Sequence, residues 1–87
     1  MKPVTLFYQP RCPFCKKALG YLEELQRQGT YGRLEIRMID ELAEPEVADR
    51  YDYYYVPTFY VGDKKVHEGG IMPDEVEAVL RMALDER

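Results

Sequence analysis

Two cysteines three positions apart, Cys12-Pro13-Phe14-Cys15, are the residues of this chain best suited to chemistry. On a helix that spacing brings the Cβ atoms to about 5 to 6 Å. A modest adjustment takes them to disulfide distance, so the pair can open and close without unfolding the protein. Pro13 suits the first helical position, where a missing N–H costs nothing. Cys12 then sits at or beside the N-cap, with the unpaired N–H groups of the helix directed at its sulfur. At an ordinary pKa near 8.5 only about 3% of a thiol is thiolate at pH 7, and the thiolate is the nucleophile. The helix tip supplies about 0.3 to 2 kcal/mol, against about 1.36 kcal/mol per pKa unit, and Arg11 and Lys16 add attraction where their side chains turn inward. Cys12 is therefore the candidate nucleophile. Cys15, one turn into the helix and expected to be less exposed, is the candidate resolving thiol.

Other uses of the pair fit less well. A bridge closing so small a loop restricts the unfolded chain by only about 2 kcal/mol, which makes it a poor staple. A structural zinc needs four ligands, and outside the pair the chain offers only His67 and carboxylates, so no metal site is expected. Inert packing of two small apolar residues is the remaining plain alternative.

The elements that must position the pair can be read around it. Val4-Thr5-Leu6-Phe7-Tyr8 is a β-prone run ended by Gln9-Pro10-Arg11, and predicts a buried first strand. From Pro13 to about Gln28 the apolar residues Phe14, Ala18, Leu19, Leu22 and Leu25 recur at helical spacing, and Gly29 and Gly32 follow. Leu34 to Ile39 alternates apolar with charged and reads as a half-covered strand. Glu44-Pro45-Glu46 opens a second helix expected to reach about Tyr53. Pro57 precedes a strand at Thr58-Phe59-Tyr60-Val61, Gly62-Asp63 suits a two-residue turn, and Lys64 to Glu68 completes a hairpin. Pro73-Asp74-Glu75 starts a final helix with Val76, Val79, Leu80, Ala83 and Leu84 on one stripe. The order βαβ, α, ββ, α implies a four-stranded mixed sheet, with a right-handed parallel crossover and helices on both faces.

Composition narrows the partners. The chain has 87 residues, 46% of them hydrophobic, enough for a single domain. Its net charge of −4 argues against an extended phosphate-binding face, so nucleic acid is not an expected partner. No long apolar run or secretory-type start is present, which gives the expectation of a cytoplasmic protein without membrane contact.

On these residues the chain resembles the glutaredoxin branch of the thioredoxin-like proteins. Cys12-Pro13-Phe14-Cys15 is similar to the family motif Cys-Pro-Tyr-Cys, with Phe14 replacing tyrosine. Val56-Pro57-Thr58-Phe59 resembles the family's Val-Pro segment, and Gly69-Gly70 resembles its glycine pair after the hairpin. The resemblance implies the thioredoxin-like fold over nearly the whole chain. It also implies a cis Val56-Pro57 bond facing the cysteines, with the Val56 N–H and C=O free to pair with an extended substrate. Family members that bind glutathione tend to carry Gln or Arg shortly before Val-Pro and an acidic pair after the glycines. Here those places read Tyr53-Tyr54-Tyr55 and Ile71-Met72-Pro73-Asp74, so the clamp looks incomplete. Gly70-Ile71-Met72-Pro73-Asp74 is instead similar to the Gly-Phe-Arg-Pro-Asp segment of redoxins that serve ribonucleotide reductase and take electrons from thioredoxin reductase, without its arginine.

The implied activity is that of a thiol-disulfide oxidoreductase acting on protein or low-molecular-weight disulfides. No tightly bound cofactor is expected, the electron donor is either glutathione or thioredoxin reductase, and the protein is expected to be monomeric. The alternative is a binding module holding an iron–sulfur cluster with Cys12 and glutathione as ligands, against which Pro13 and the weakened clamp both count. Around the pair, Phe14 is expected to offer an exposed apolar surface to partners, and Tyr8 and Tyr55 to reach the active-site loop or docking groove. For the tyrosines the plainer reading is closure of the second helix onto the sheet. Lys17 reads as a solvated helix face and His67 as a surface residue. The acidic stretch from Asp40 to Glu46 reads as solvated, with steering of basic partners as its other role.

Overall fold

The computed structural model describes residues 1–86. Strand β1 (Val4–Tyr8) is followed by helix α1 (Pro13–Arg27), strand β2 (Ile36–Asp40), a single helical turn α2 (Pro45–Ala48), the hairpin β3 (Thr58–Val61) and β4 (Lys64–Glu68), and helix α3 (Pro73–Asp85). The sheet order is β2-β1-β3-β4, with β1 parallel to β2 and antiparallel to β3, and with β3 antiparallel to β4. The central strand β1 thus runs straight into α1, and its C-terminal end delivers the cysteine pair.

Strand alternation divides the sheet between two cores. Val4 and Leu6 pair in register with Val61 and Phe59 and face α1 and α3, where Ala18, Leu22, Val76, Val79, Leu80 and Ala83 close over them. Phe7 and Tyr60 face the other way, onto Ala48 of α2 and the flanking Tyr51 and Tyr53. Leu6, Phe59 and Leu80 are fully buried. Each such side chain contributes about 1.5 to 3 kcal/mol, whereas an exposed ion pair such as Arg27–Glu24 or Arg81–Glu77 is worth about 0 to 1, so apolar burial and not surface charge holds the site in place.

Two expected boundaries move. Strand β2 begins at Ile36 and not at Leu34, because Leu34 turns into the main core while its N–H closes a turn on the Tyr31 carbonyl. The second helix stops at Ala48, well short of Tyr53. Its last turn tightens, with Arg50 N–H on the Val47 carbonyl and Tyr51 N–H on the Ala48 carbonyl. The chain then leaves the helix so that Tyr51 and Tyr53 can reach Phe7, at ring-centroid distances of 4.7 and 4.8 Å. Aromatic packing against the sheet outweighs continued helix here. Among the described residues no helix is long and apolar enough to cross a membrane.

Candidate active site

Backbone geometry at the end of β1 places both sulfurs. The Cys12 N–H donates to the Gln9 carbonyl at 3.1 Å, a turn that reverses the chain after Pro10, and the Cys12 carbonyl accepts the Lys16 N–H at 3.0 Å as the first bond of α1. Cys12 is the N-cap, in extended backbone, with Pro13 opening the helix. Its side chain is half-exposed, while Cys15 is fully buried against the sheet side of α1, and both are free thiols.

Their acidities diverge for that reason. Partial desolvation of Cys12 disfavours its anion, but the Cys15 N–H, the Cys15 thiol and the Phe14 N–H all point toward its sulfur and outweigh that cost, so its pKa falls below the ordinary thiol value. The sulfur makes no full side-chain cap in the strict geometric sense; the attraction of converging N–H groups suffices for the direction of the shift. Burial pushes the Cys15 thiol up to about 12, with the Gln9 N–H opposing and the neighbouring Cys12 and Glu41 adding to the rise. One thiol is primed to ionise and the other is held protonated.

A second segment meets the motif at Phe14. The Val56-Pro57 bond is cis, Pro57 is buried, and the Val56 N–H and C=O enter no backbone hydrogen bond among the described residues. The Pro57 carbonyl accepts the Gly69 N–H at 2.8 Å. Gly69 has φ of +91°, a conformation that a side chain strains, so the glycine is required for this turn. Gly70 lies against the Phe14 ring, which comes within 3.5 Å of where a Cβ would stand, and its carbonyl is 2.8 Å from His67 Nε2. His67 therefore ties down the glycine turn and is more than the plain surface residue expected of it. Cys-Pro-Phe-Cys, the proline loop and the glycine pair form one surface.

The remaining candidates divide. Phe14 is 59% exposed and Tyr55 71% exposed, both available to a partner. Tyr51 and Tyr53 pack on Phe7, as the plainer reading had it. Tyr8 is half-buried and packs against the main core, where its ring is part of the fold. Arg11 and Lys16 are exposed, and neither is among the leading contributions to the Cys12 acidity; the amide groups of α1 carry that effect instead. Among the described residues no group of three metal-ligating side chains converges.

Three polar residues around the site escape sequence reasoning. Glu68 accepts the Tyr54 and Tyr55 N–H groups, the latter at 2.9 Å, and pairs with Lys65 at 2.8 Å. These contacts, the Lys65 ammonium first, hold its carboxyl down at about 2. Thr58 Oγ1 donates to the Tyr55 carbonyl, so the loop before Pro57 is pinned from two sides. Glu41, at the end of β2, accepts the Gln9 side-chain amide and the Tyr53 hydroxyl. All three lie far in sequence from what they hold or touch only backbone, and no local pattern marks such contacts.

Comparison with known proteins agrees with this architecture. The family model described as Glutaredoxin matches residues 4–66. No curated protein is a significant match. Among solved structures, reduced desulfothioredoxin from Desulfovibrio vulgaris Hildenborough is 27% identical, with a TM-score of 0.69 over 93% of this chain and 80% of that one. The germline-specific thioredoxin Deadhead from Drosophila melanogaster is 23% identical, with a TM-score of 0.64 over 95% and 79%. A thioredoxin-like protein from Clostridium perfringens is also 23% identical, with a TM-score of 0.69 over 95% and 71%. The matched region spans the strand-to-helix junction with its cysteine pair, the proline loop and most of the hairpin, and by that match the chain belongs to the glutaredoxin family.

Proposed function

We propose that the protein is a thiol-disulfide oxidoreductase that reduces protein or low-molecular-weight disulfides through a reversible Cys12-Cys15 bridge. The observation that carries this reading is the contrast between the two thiols: Cys12 half-exposed at the tip of α1 with lowered pKa, Cys15 buried beside it with pKa pushed up to about 12.

The Cys12 thiolate attacks one sulfur of the substrate disulfide, forming a mixed disulfide and releasing the other substrate sulfur, which takes up a proton. Cys15 then loses its proton and attacks the Cys12 sulfur, closing the bridge and releasing the second substrate thiol. Two electrons pass from the protein to the substrate, and the cysteines end oxidised. The free Val56 N–H and C=O support extended docking of the substrate backbone, and exposed Phe14 and Tyr55 supply apolar contact beside it. The chemistry needs no tightly bound cofactor.

The bridge must be reopened by glutathione or a flavoprotein thioredoxin reductase. Exposed Tyr54 and Tyr55 and the Met72-Pro73 helix start stand where glutathione-clamping residues are expected, which favours the reductase. Two tests decide the reading. Cys12→Ser should abolish reduction of insulin disulfides, and retained turnover refutes the assignment. A coupled assay with each donor alone should show faster turnover with the reductase; glutathione acting alone as well or better reverses the choice of donor.

A further inference from the structure

Glu41 lies outside the cysteine motif, yet it is wired to it. One carboxylate oxygen accepts the Gln9 side-chain amide, the other accepts the Tyr53 hydroxyl at 2.6 Å, and the Glu41 N–H donates to the Tyr8 carbonyl at 3.0 Å. Gln9 in turn grips both cysteines: its carbonyl accepts the Cys12 N–H, and its own N–H is directed at the Cys15 sulfur. Tyr53 is anchored by stacking on fully buried Phe7, with an interplanar angle of 27°. A continuous path therefore runs from the aromatic core through one carboxylate to the backbone that carries both sulfurs.

The charge of that carboxylate is not balanced locally. Among the described residues Glu41 has no Lys or Arg within ion-pair distance. Asp40 beside it is occupied by the Leu42 and Ala43 N–H groups, and Asp49 adds negative charge near Tyr53. Burial, then the bond to Glu41, keeps the Tyr53 phenol protonated and so a permanent donor. The uncompensated carboxylate weighs against ionisation at both sulfurs.

We propose that Glu41 is a positioning residue of the redox site, tethering the cysteine loop through Gln9 and biasing the pair toward giving up electrons. The inference rests on the reading of Cys12 and Cys15 as a reversible dithiol and adds the direction in which it works. A nearby negative charge raises the free energy of the reduced form, which carries a thiolate, and leaves the neutral disulfide almost untouched. Transfer of two electrons to a substrate disulfide is favoured accordingly, the two released thiols taking one proton from Cys15 and one from solvent.

Glu41→Gln removes the charge and retains one oxygen for Gln9 and one N–H for the Tyr53 oxygen. The Cys12 thiolate pKa, followed by absorbance at 240 nm, should fall by about half a unit to one unit. That is less than the 1 to 3 units typical of a charge in close contact, because Glu41 bonds to neither sulfur. Above the Cys12 pKa, the equilibrium constant for oxidation of the pair by glutathione disulfide should drop about three- to tenfold. Gln9→Ala keeps the charge and cuts the tether, and should slow Cys15 attack on a Cys12–glutathione mixed disulfide severalfold without moving the Cys12 pKa. An unchanged pKa and equilibrium in well-folded Glu41→Gln overturns the proposal. So does unaltered resolution in Gln9→Ala, which decides the matter if the first variant does not fold. A wild-type pair that forms no reversible disulfide overturns the redox reading itself, which separates the two failures.

Discussion

The two thiols should differ so far in reactivity that one reagent can tell them apart at neutral pH. The Cys12 pKa lies below the ordinary thiol value near 8.5, so at least about 3% of it is thiolate at pH 7. At about 12, Cys15 is ionised to about one part in 100,000. The thiolate populations thus differ by a factor of about 3,000 or more. Intrinsic nucleophilicity runs the other way. With a Brønsted coefficient near 0.45, about three and a half pKa units make the Cys15 anion about fortyfold more reactive, which leaves a preference for Cys12 of about eightyfold. Zero exposure of Cys15 widens that margin further. The assay is rapid-mixing alkylation of the reduced protein with a small excess of iodoacetamide at pH 7, quenched at intervals and mapped by peptide mass. A single adduct on Cys12 should accumulate before any doubly labelled protein. Equal labelling of the two cysteines, or earlier labelling of Cys15, refutes the reasoning from burial and the helix tip.

Three further perturbations test the frame around the site. The Glu68 carboxyl is held at about 2, below its unfolded value, so its contribution to stability is present above about pH 4.3 and is lost as pH falls toward 2. Acid titration of the melting temperature should be shallower in Glu68→Gln over that window, and Tyr54 and Tyr55 amide exchange faster; superimposable curves contradict the role given to Glu68. Gly69→Ala places a side chain at φ of +91° and should cost about 1 to 3 kcal/mol, read as a lower denaturant midpoint, together with weaker substrate binding through the Gly69–Pro57 bond. Leu6→Ala empties a fully buried position under the central strand and should destabilise by about 2 to 5 kcal/mol, with a denaturation midpoint near wild type as the contrary result.

Much of this was legible in the chain because the informative residues act locally. Strand β1 announced itself through Val4 to Tyr8, Pro13 marked the helix start that makes Cys12 an N-cap, and Gly62-Asp63 set the hairpin. What escaped depends on partners distant in sequence. Gln9 and Glu41 are 32 positions apart, and Tyr54 and Glu68 are 14 apart, and a lone Glu in a polar stretch carries no sign of such a contact. The early end of α2 belongs to the same class, since the pull of Phe7 on Tyr51 and Tyr53 is tertiary and overrides helical propensity. Arg11 and Lys16 looked like thiolate partners by proximity in sequence, but exposed side chains gain more from water than from a half-exposed sulfur.

The central claim is that Cys12 captures a substrate sulfur and Cys15 displaces it. Incubating the Cys15→Ser protein with a disulfide-bonded protein substrate and reading intact masses without reductant tests it most directly. The account predicts a stable one-to-one covalent adduct joined through Cys12, cleaved by dithiothreitol and absent from Cys12→Ser. No adduct in the Cys15→Ser protein, or the same adduct when Cys12 is replaced, would contradict it.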